Sequence, residues 1–403
     1  MKRAPGFSRG SICLRDMPAF EGGLARAREL ASCHFGHRAL RVHQIRVLGP
    51  LLSGRNVLAV LPTGAGKSLC YQLAALMTEG LTLVISPLVA LMQDQVSALR
   101  RRGIRAAYLN SLLSPEQRAD VLRATTAGDL QLLYCAPERL ESLVPSLRAH
   151  GVTVSLLAVD EAHCIVEWGN EFRPVYRRLG EFRYLLGNPV TIALTGSATP
   201  STRLQILQTL HIPAADVIVT SFDRPNLTFT VERVRDDRER FARIRACARE
   251  AIGTTVVYTP TRRLTELVAR ALHFAGVRVA PYHAGLSAEM RRRLLVDFLE
   301  DRLPVIVSTS AFGMGIDKGD VRRVLHWGPP PSLESYYQEA GRAGRDGHPA
   351  TCELLWRPAD FRWGTHDPAV RRYVTGGRCR RRQLLAHFGE VLVRCAGCDR
   401  CKS

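Results

Sequence analysis

Residues 57 to 73 place a strand, a glycine turn and a helix in immediate succession, which restricts the chain to a fold built on a parallel sheet. The apolar run Val57–Val60 leads into Leu61-Pro62-Thr63-Gly64-Ala65-Gly66-Lys67-Ser68, and a helical stretch follows. Two glycines in such a turn let backbone N–H groups close around an oxyanion at the positive end of the helix. This P-loop pattern predicts phosphate binding by Thr63, Gly64, Gly66 and Lys67, with Lys67 reaching the β- and γ-phosphates. The strict pattern has Gly at position 61, where this chain has Leu, so the turn alone leaves a chance match open.

An acidic pair closes a second apolar strand about ninety residues further along the chain. Asp160 and Glu161 directly follow the run Ser155–Val159. We predict that Ser68 and Asp160 hold a Mg²⁺ ion and that Glu161 polarises an attacking water molecule. The P-loop and the acidic pair together predict an enzyme that binds and hydrolyses ATP.

Short β-branched runs alternate with helical stretches in two parts of the chain, which predicts an α/β fold with two parallel-sheet domains. In the first part we predict strands at residues 57–60, 81–85, 130–135, 156–159, 191–194 and 217–219. In the second part we predict strands at residues 255–258, 278–282, 305–308 and 323–326. Predicted helices include 88–99, 261–275, 287–299 and one that opens with a capping box between Ser114 and Gln117.

The domain limits follow from where this alternation stops. A polar stretch from Ser221 to about Arg240 is predicted as a linker, and strand signals fade after about Thr351, where the chain turns basic. Solvation of an ordinary surface is the alternative explanation of that basic tail. We expect an N-terminal extension over residues 1–33, domains over 34–222 and 223–350, and a small subdomain over 351–403.

The net charge of +19 on 403 residues favours a polyanionic partner, nucleic acid before membrane. Only four of the basic residues are lysines, and such an arginine bias is also produced by genome composition. No apolar run approaches the length of a membrane span, and the N-terminus lacks the apolar stretch of a secretory signal. We therefore expect a cytoplasmic protein without a membrane partner.

Four of the eleven cysteines are closely spaced near the C-terminus. Two-residue spacers let neighbouring thiolates converge on one ion, so we predict a structural zinc site. Free thiols are the alternative, and a redox role is disfavoured because no βαβ pattern surrounds the Cys-x-x-Cys pairs. The predicted zinc ligands are Cys379, Cys395, Cys398 and Cys401.

The segment Gln338-Glu339-Ala340-Gly341-Arg342-Ala343-Gly344-Arg345 carries two arginines three positions apart. On one face of a helix, Arg342 and Arg345 would meet a phosphate chain and neutralise charge on the γ-phosphate when the two halves close. Gln338 is a further candidate for the same pocket. A solvated, arginine-rich helix is the alternative.

Three segments resemble the RecQ family of superfamily 2 helicases. They are Asp160 to Tyr176, which is similar to the family's DEAH box and aromatic-rich loop, Ala311 to Asp317, and Ser335 to Gly347. The likeness runs from about Phe35 to Cys401, and the cysteine quartet resembles the family's zinc subdomain. It implies two tandem RecA-like domains followed by that subdomain, with ATP, Mg²⁺ and Zn²⁺ as cofactors.

The resemblance also implies roles for individual residues. Arg41 and Gln44 would recognise adenine, and residues 86–96 and 195–199 would face DNA or relay between DNA and ATP. Single-stranded DNA would be contacted by Trp168, Phe172, Arg173, His283 and Thr309. A core aromatic is the alternative for Trp168. The chain departs from the family pattern at His37, where Tyr is expected, and at Asn170, where His is expected.

The implied activity is 3′-to-5′ translocation on single-stranded DNA and unwinding of partially duplex DNA by a monomer, in repair or recombination. The sequence ends two residues after Cys401, so we expect no winged-helix domain. The stretch from Asp360 to Cys379 is shorter than the helical hairpin that the resemblance implies, so we also expect a shortened zinc subdomain. A DNA-stimulated ATPase without unwinding, an RNA helicase and a non-enzymatic scaffold remain open.

Overall fold

The computed structural model describes residues 17–62, 64–168, 173–250, 253–313, 318–361 and 366–401. Thr63 and Phe172, both predicted as site residues, lie outside these ranges. In the described part of the chain, two parallel sheets follow one another, so the predicted α/β fold with two parallel-sheet domains is confirmed.

The first sheet has seven described strands in the order β3-β4-β2-β5-β6-β1-β7. Continuous burial explains the apolar sequences of the inner strands, since helices cover both faces of a parallel sheet, whereas the edge strand β7 is only partly buried. The strands are β1 Val57–Val60, β2 Leu81–Ile85, β3 Ala106–Leu109, β4 Leu132–Cys135, β5 Val154–Val159, β6 Val190–Thr195 and β7 Asp216–Val219. Strand β3 was not predicted. Because β6 pairs with both β1 and β5, the P-loop and the acidic pair emerge at the same edge of the sheet.

Helices surround this sheet, and one of them begins before the predicted first domain. Helix α1 packs with α2 and α3 around Leu24, Leu48 and Leu73. The predicted capping box on α5 is confirmed, because Gln117 N–H donates to Ser114 Oγ at 3.2 Å and Ser114 N–H donates to Gln117 Oε1 at 3.0 Å. The helices are α1 Met17–Phe35, α2 Val42–Leu52, α3 Lys67–Met77, α4 Val89–Arg101, α5 Pro115–Thr126, α6 Leu140–Ala149, α7 Cys164–Glu167, α8 Leu179–Leu185 and α9 Pro200–Thr209.

The second sheet has the order β10-β11-β9-β12-β13-β8 within the described ranges. Its strands are β8 Leu227–Arg233, β9 Thr254–Tyr258, β10 Val279–Tyr282, β11 Val305–Ser308, β12 Val321–His326 and β13 Ala350–Trp356. The helices on it are α10 Asp237–Arg249, α11 Arg262–Phe274, α12 Ala288–Leu299 and α13 Leu333–Ala340.

Two predictions about this half are wrong. The segment predicted as a linker contains strand β8 and the start of α10, and strand signals do not end at Thr351, since β13 continues to Trp356. The two strands pair in parallel over seven residues at one side of the sheet. In β8 buried and more exposed residues alternate, so its polar residues concealed a half-buried edge strand.

A small helical subdomain completes the described chain. Helices α14 Pro368–Thr375 and α15 Arg380–His387 pack against each other, and isolated bridges join Cys398 to Phe229 of β8 and to Cys401. Arg381 is fully buried and donates to Asp223 and to the carbonyl oxygens of Arg224 and Leu227. The subdomain is therefore bonded to the segment that connects the two halves.

That connecting segment, Ser221–Arg224, is held from several sides. The Phe222 ring stacks on Phe388 of the subdomain at 4.5 Å, and its backbone N–H donates to Glu390 at 2.7 Å. Tyr337 of the second half donates to the Phe222 carbonyl at 3.0 Å, and Arg203 of the first half lies 5.7 Å from the Phe222 ring.

Among the helices that the structure describes, none combines the length and the apolar character needed to cross a bilayer.

Candidate ATP site and zinc centre

The P-loop turn is stabilised by glycines in left-handed backbone conformations. Gly64 has φ +80° and Gly66 has φ +76°, which side-chain-bearing residues adopt only at a cost. Helix α3 begins at Lys67, whose Nζ donates to the Leu61 carbonyl at 3.3 Å. The positive end of α3 and the Lys67 ammonium therefore lie on the same turn, as phosphate binding requires.

Asp160 and Glu161 follow β5, which β6 separates from β1, at the same edge of the sheet. Burial and the nearby Glu161 charge raise the pKa of Asp160 to about 7, although Lys67 and the Glu161 N–H oppose that rise. Glu161 has φ +48°, a left-handed conformation that is unusual for a residue with a side chain. Asp160 and Ser68 line the same cavity, and once Asp160 is ionised the two side chains would offer the oxygen ligands that Mg²⁺ prefers.

One cavity of about 710 Å³ brings the predicted phosphate and arginine residues together. Its walls come from both halves of the chain. The predicted site residues on it are Gly64, Gly66, Lys67, Ser68, Asp160, Glu161, Gln338, Arg342 and Arg345. Phe35 and His37 line the cavity as well.

The two arginines reach this cavity from a turn. The expectation that they share a helical face is wrong, because α13 ends at Ala340 with Gly341 as its C-cap, and Gly344 has φ +53°. Arg224 holds the turn by donating to the carbonyl oxygens of Gly341, Ala343 and Gly344. The turn therefore fixes the backbone on which Arg342 and Arg345 are carried.

A hydrogen-bonded group joins the two halves beside the acidic pair. Gln338 Nε2 donates to Ser197 Oγ at 2.6 Å and lies 3.1 Å from His163 Nε2. Because an amide nitrogen can only donate, His163 Nε2 accepts, which leaves its Nδ1–H for Thr195 Oγ1 at 3.0 Å and Glu161 at 3.4 Å. His163 and Ser197 were given no separate site role from sequence, although both lie in segments quoted for the resemblance.

Arg41 and Gln44 are directed at the P-loop. Arg41 Nη1 donates to the Gly64 carbonyl at 2.7 Å, and the Gln44 amide lies 3.4 Å from the carbonyl oxygens of Ala65 and Gly66. His43, which was not predicted, places Nε2 2.8 Å from the Ala65 carbonyl. In this conformation the three side chains brace the loop.

The residues predicted to bind DNA are placed differently from one another. The Arg173 guanidinium lies 5.3 Å from the Trp168 ring centroid and donates to the Pro87 carbonyl at 3.0 Å. Trp168 also packs partly against the hydrophobic core. Thr309 is half-buried, whereas the His283 side chain is buried and lies 3.2 Å from Glu266. Trp168, Arg173 and Thr309 are thus placed for surface contact more directly than His283 is.

The four predicted zinc ligands converge. Their sulfur atoms all lie within 4.8 Å of one another, and Cys379 Sγ is 3.8 Å from Cys398 Sγ. Zn–S bonds of about 2.3 Å in a tetrahedron place sulfur atoms about 3.8 Å apart, so the cluster fits the ion. Burial raises the pKa of Cys398, but N–H donors from Arg400, Arg380 and Cys401 outweigh it and lower the pKa to about 7. Such a thiolate is the ligand that Zn²⁺ would take at this cluster.

These features define a nucleotide-binding cleft between two parallel-sheet domains, with a four-cysteine cluster beside them. Three family models match the chain in that order: DEAD/DEAH box helicase over residues 41–207, helicase conserved C-terminal domain over 239–347, and RecQ zinc-binding over 368–402. The RecA-like fold and the zinc-binding subdomain are thereby confirmed.

Curated relatives agree with this assignment. The ATP-dependent DNA helicase RecQ of Bacillus subtilis (strain 168) is 40% identical over 94% of this chain and 67% of its own length. RecQ of Haemophilus influenzae is 40% identical over 91% of this chain and 62% of its own length. The chain belongs to the RecQ family of helicases. It spans 61 to 67% of the length of the bacterial RecQ relatives.

Solved structures share the fold. Mycobacterium smegmatis helicase Lhr, bound to single-stranded DNA and AMP-PNP, aligns with a TM-score of 0.64 at 25% identity, covering 83% of this chain and 47% of Lhr. Helicase MrfA bound to DNA aligns with a TM-score of 0.68 at 22% identity, covering 87% of this chain and 49% of MrfA.

Proposed function

We propose that this chain is an ATP- and Mg²⁺-dependent DNA translocase and helicase that moves 3′ to 5′ on single-stranded DNA. The observation that supports it most is the single cavity that holds the P-loop, the acidic pair and two arginines from the other half. The relatives named as ATP-dependent DNA helicases support DNA as the track. Repair or recombination, a cytoplasmic location and a monomeric state belong to the same proposal.

The domain division remains part of the proposal. Residues 34–222 would form the ATP-binding domain, 223–350 the second helicase domain and 351–403 the zinc subdomain, after an extension over 1–33. Pairing of β13 with β12 and β8 extends the second sheet past residue 350.

The residues divide the chemistry among them. Lys67 and the N–H groups of the glycine turn would hold the β- and γ-phosphates, and Ser68 and Asp160 would hold Mg²⁺, which would supply positive charge to the phosphates. Glu161 accepts a proton from the attacking water, whose oxygen bonds to the γ-phosphorus as the bond from that phosphorus to ADP breaks. Arg342 and Arg345 neutralise the charge that develops on the transferred group.

The bond from Gln338 to Ser197 and His163 supports coupling between hydrolysis and movement. It connects the acidic-pair segment to the arginine turn, so closing and opening of the cleft would change both together. Trp168, Phe172, Arg173, His283 and Thr309 are proposed to contact the DNA track, and Arg41 and Gln44 the adenine.

The test is ATP hydrolysis by the purified chain with and without single-stranded DNA, compared with single-stranded RNA. A duplex with a 3′ tail is presented alongside one with a 5′ tail. We expect stimulation by DNA above RNA and displacement of the strand on the 3′-tailed substrate only. Stimulation without displacement would identify a DNA-stimulated ATPase that does not unwind, and equal stimulation by RNA would contradict the DNA assignment.

A further inference from the structure

Tyr258, at the end of β9 in the second half, is held rigidly although no motif draws attention to it. Its side chain is buried, and its ring stacks on His326 with centroids 5.3 Å apart and planes 23° apart. His326 ends the neighbouring strand β12 and places Nε2 2.8 Å from Glu339. Stacking and the fixed imidazole together set the direction in which the Tyr258 hydroxyl points.

That hydroxyl donates to the Phe312 carbonyl at 2.7 Å. Phe312 is itself immobilised, because its ring lies edge-on between Tyr282 at 5.1 Å and Phe298 at 5.2 Å. Phe312 closes a short loop that starts after β11 with Thr309 and the exposed Ser310. The bond therefore ties Tyr258 to the loop proposed to meet the DNA backbone.

Arg342 approaches the same place, where its charge acts on the phenol: burial raises the pKa of Tyr258, and the Arg342 guanidinium opposes that rise through its charge. Gly313, next to Phe312, has no side chain to intervene; a Cβ there would lie 2.9 Å from Arg342 Nη2. A hydroxyl can donate one bond while accepting another, so Tyr258 can serve the loop carbonyl and the guanidinium at once.

We propose that Tyr258 is a positioning residue for Arg342, and that its hydroxyl connects the loop of residues 309–313 to the arginine. The inference rests on the proposed function and extends it. When DNA fixes Thr309 and Ser310, the loop carbonyl fixes the phenol, and the phenol fixes the guanidinium where charge develops on the γ-phosphate. Tyr258 is not among the described residues that line the ATP cavity, so its effect on hydrolysis would pass through Arg342.

Tyr258→Phe keeps the stacked ring and removes the hydroxyl. A misplaced arginine costs transition-state stabilisation, so we expect kcat of DNA-stimulated hydrolysis to fall roughly 10- to 100-fold, with KM for ATP within about threefold of wild type. Affinity for ADP–aluminium fluoride, which mimics the transition state, should fall with kcat. Affinities for AMP-PNP and for single-stranded DNA should stay unchanged.

Tyr336→Phe is the matched control, because Tyr336 is fully buried and packs on the same His326 ring at 5.0 Å but lies against Tyr373. It should keep wild-type kcat. An equal loss in both variants, or a change in KM alone for Tyr258→Phe, would assign Tyr258 a merely structural role and overturn the inference.

Gly313→Ala tests the same geometry from the other side. The added methyl would lie 2.9 Å from both the Arg342 guanidinium and the Ser310 carbonyl, so the guanidinium or the loop must shift. We expect kcat to fall, and wild-type kcat in this variant would also overturn the inference. If the wild-type chain shows no DNA-stimulated hydrolysis, the proposed function itself fails. If DNA stimulates the wild-type chain and the variants match it, the function stands and the proposed role of Tyr258 is wrong.

Discussion

Asp160 is a buried acid whose ionisation is unfavourable until a cation arrives. The folded chain holds its proton more tightly than the unfolded chain, where the pKa is 3.8, because folding raises the pKa to about 7. The stability that this proton contributes is complete below pH 3.8 and is lost as pH rises through about 7. Above that pH the folded apoprotein carries the cost of a buried charge.

Asp160→Asn should therefore raise the melting temperature of the metal-free, nucleotide-free protein at pH 8, with little change at pH 4. Thermal unfolding in a chelating buffer at both pH values measures this. Asp129→Asn, at an exposed carboxylate, is the control and should change neither melting temperature. A destabilised Asp160→Asn variant at pH 8 would contradict the argument.

Lys67 carries the one ammonium on the P-loop turn that the structure describes. Lys67→Ala should lower ATP turnover at least about 100-fold, because a charge that stabilises the transferred phosphate is lost. Single-stranded DNA affinity should stay within about threefold, since the DNA-facing residues lie elsewhere. Parallel measurements of turnover and of DNA binding by fluorescence anisotropy check this, and normal turnover would remove Lys67 from the site.

Residue identities in the glycine turn and the acidic pair could be predicted from sequence, because the chemistry requires particular types at a fixed spacing. The partners of His163, Ser197 and Tyr258 could not. Their bonds join residues more than fifty positions apart or cross between the two halves, so no local pattern contains them. The inward position of Gln44 has the same cause, since it depends on carbonyls of the P-loop.

At the scale of elements, several apolar strands were predicted to the residue, whereas β3, β8 and β13 were missed. β1, β2 and β11 match their predicted limits because a parallel strand covered on both faces is apolar throughout. β8 alternates in burial and was taken for linker, and α13 stops earlier than its helical pattern indicates because glycine follows it. Polar edge strands and glycine stops are decided by tertiary contacts that a single sequence does not display.

The cysteine cluster is an element whose fold should depend on its ion. In Cys398→Ser we expect bound zinc to fall from about one ion per chain to near zero, because a three-thiolate site no longer closes the tetrahedron. The melting temperature should drop by several degrees, since metal binding contributes to folding. Elemental analysis and thermal unfolding measure both effects.

Cys33→Ser, at an exposed thiol outside the cluster, is the matched control and should retain both zinc and stability. Wild-type protein that is folded and free of zinc would contradict the assignment of the cluster.

At the scale of the whole molecule, the zinc-binding subdomain reaches both halves through the connecting segment. Glu390 accepts from the Ser221 hydroxyl at 2.6 Å and from the Phe222 N–H, and Arg203 of α9 donates to the Phe388 carbonyl at 2.7 Å. We expect Glu390→Gln to weaken the hydrogen bonds between the subdomain and the connecting segment, because an amide oxygen accepts more weakly than the carboxylate and loses charge assistance.

The expected result is a smaller ratio of DNA-stimulated to basal ATP turnover, by roughly two- to fivefold, with zinc content unchanged. Fluorescence energy transfer between labels on the two halves should show a broader distance distribution. Glu289→Gln, on the exposed first turn of α12, is the control and should leave the ratio at the wild-type value. An unaltered ratio in Glu390→Gln would show that the hydrogen bonds of Glu390 to the connecting segment do not couple the halves.

Phe222 contacts residues of both halves and Phe388 of the zinc-binding subdomain, whose fold should depend on its ion. Under zinc starvation, a cell would then hold copies of this enzyme whose catalytic residues are intact but whose two lobes no longer move in step. Such copies would hydrolyse ATP with little stimulation by the DNA strand to which they are bound. The supply of zinc would therefore determine how efficiently the enzyme works, independently of how much enzyme is present.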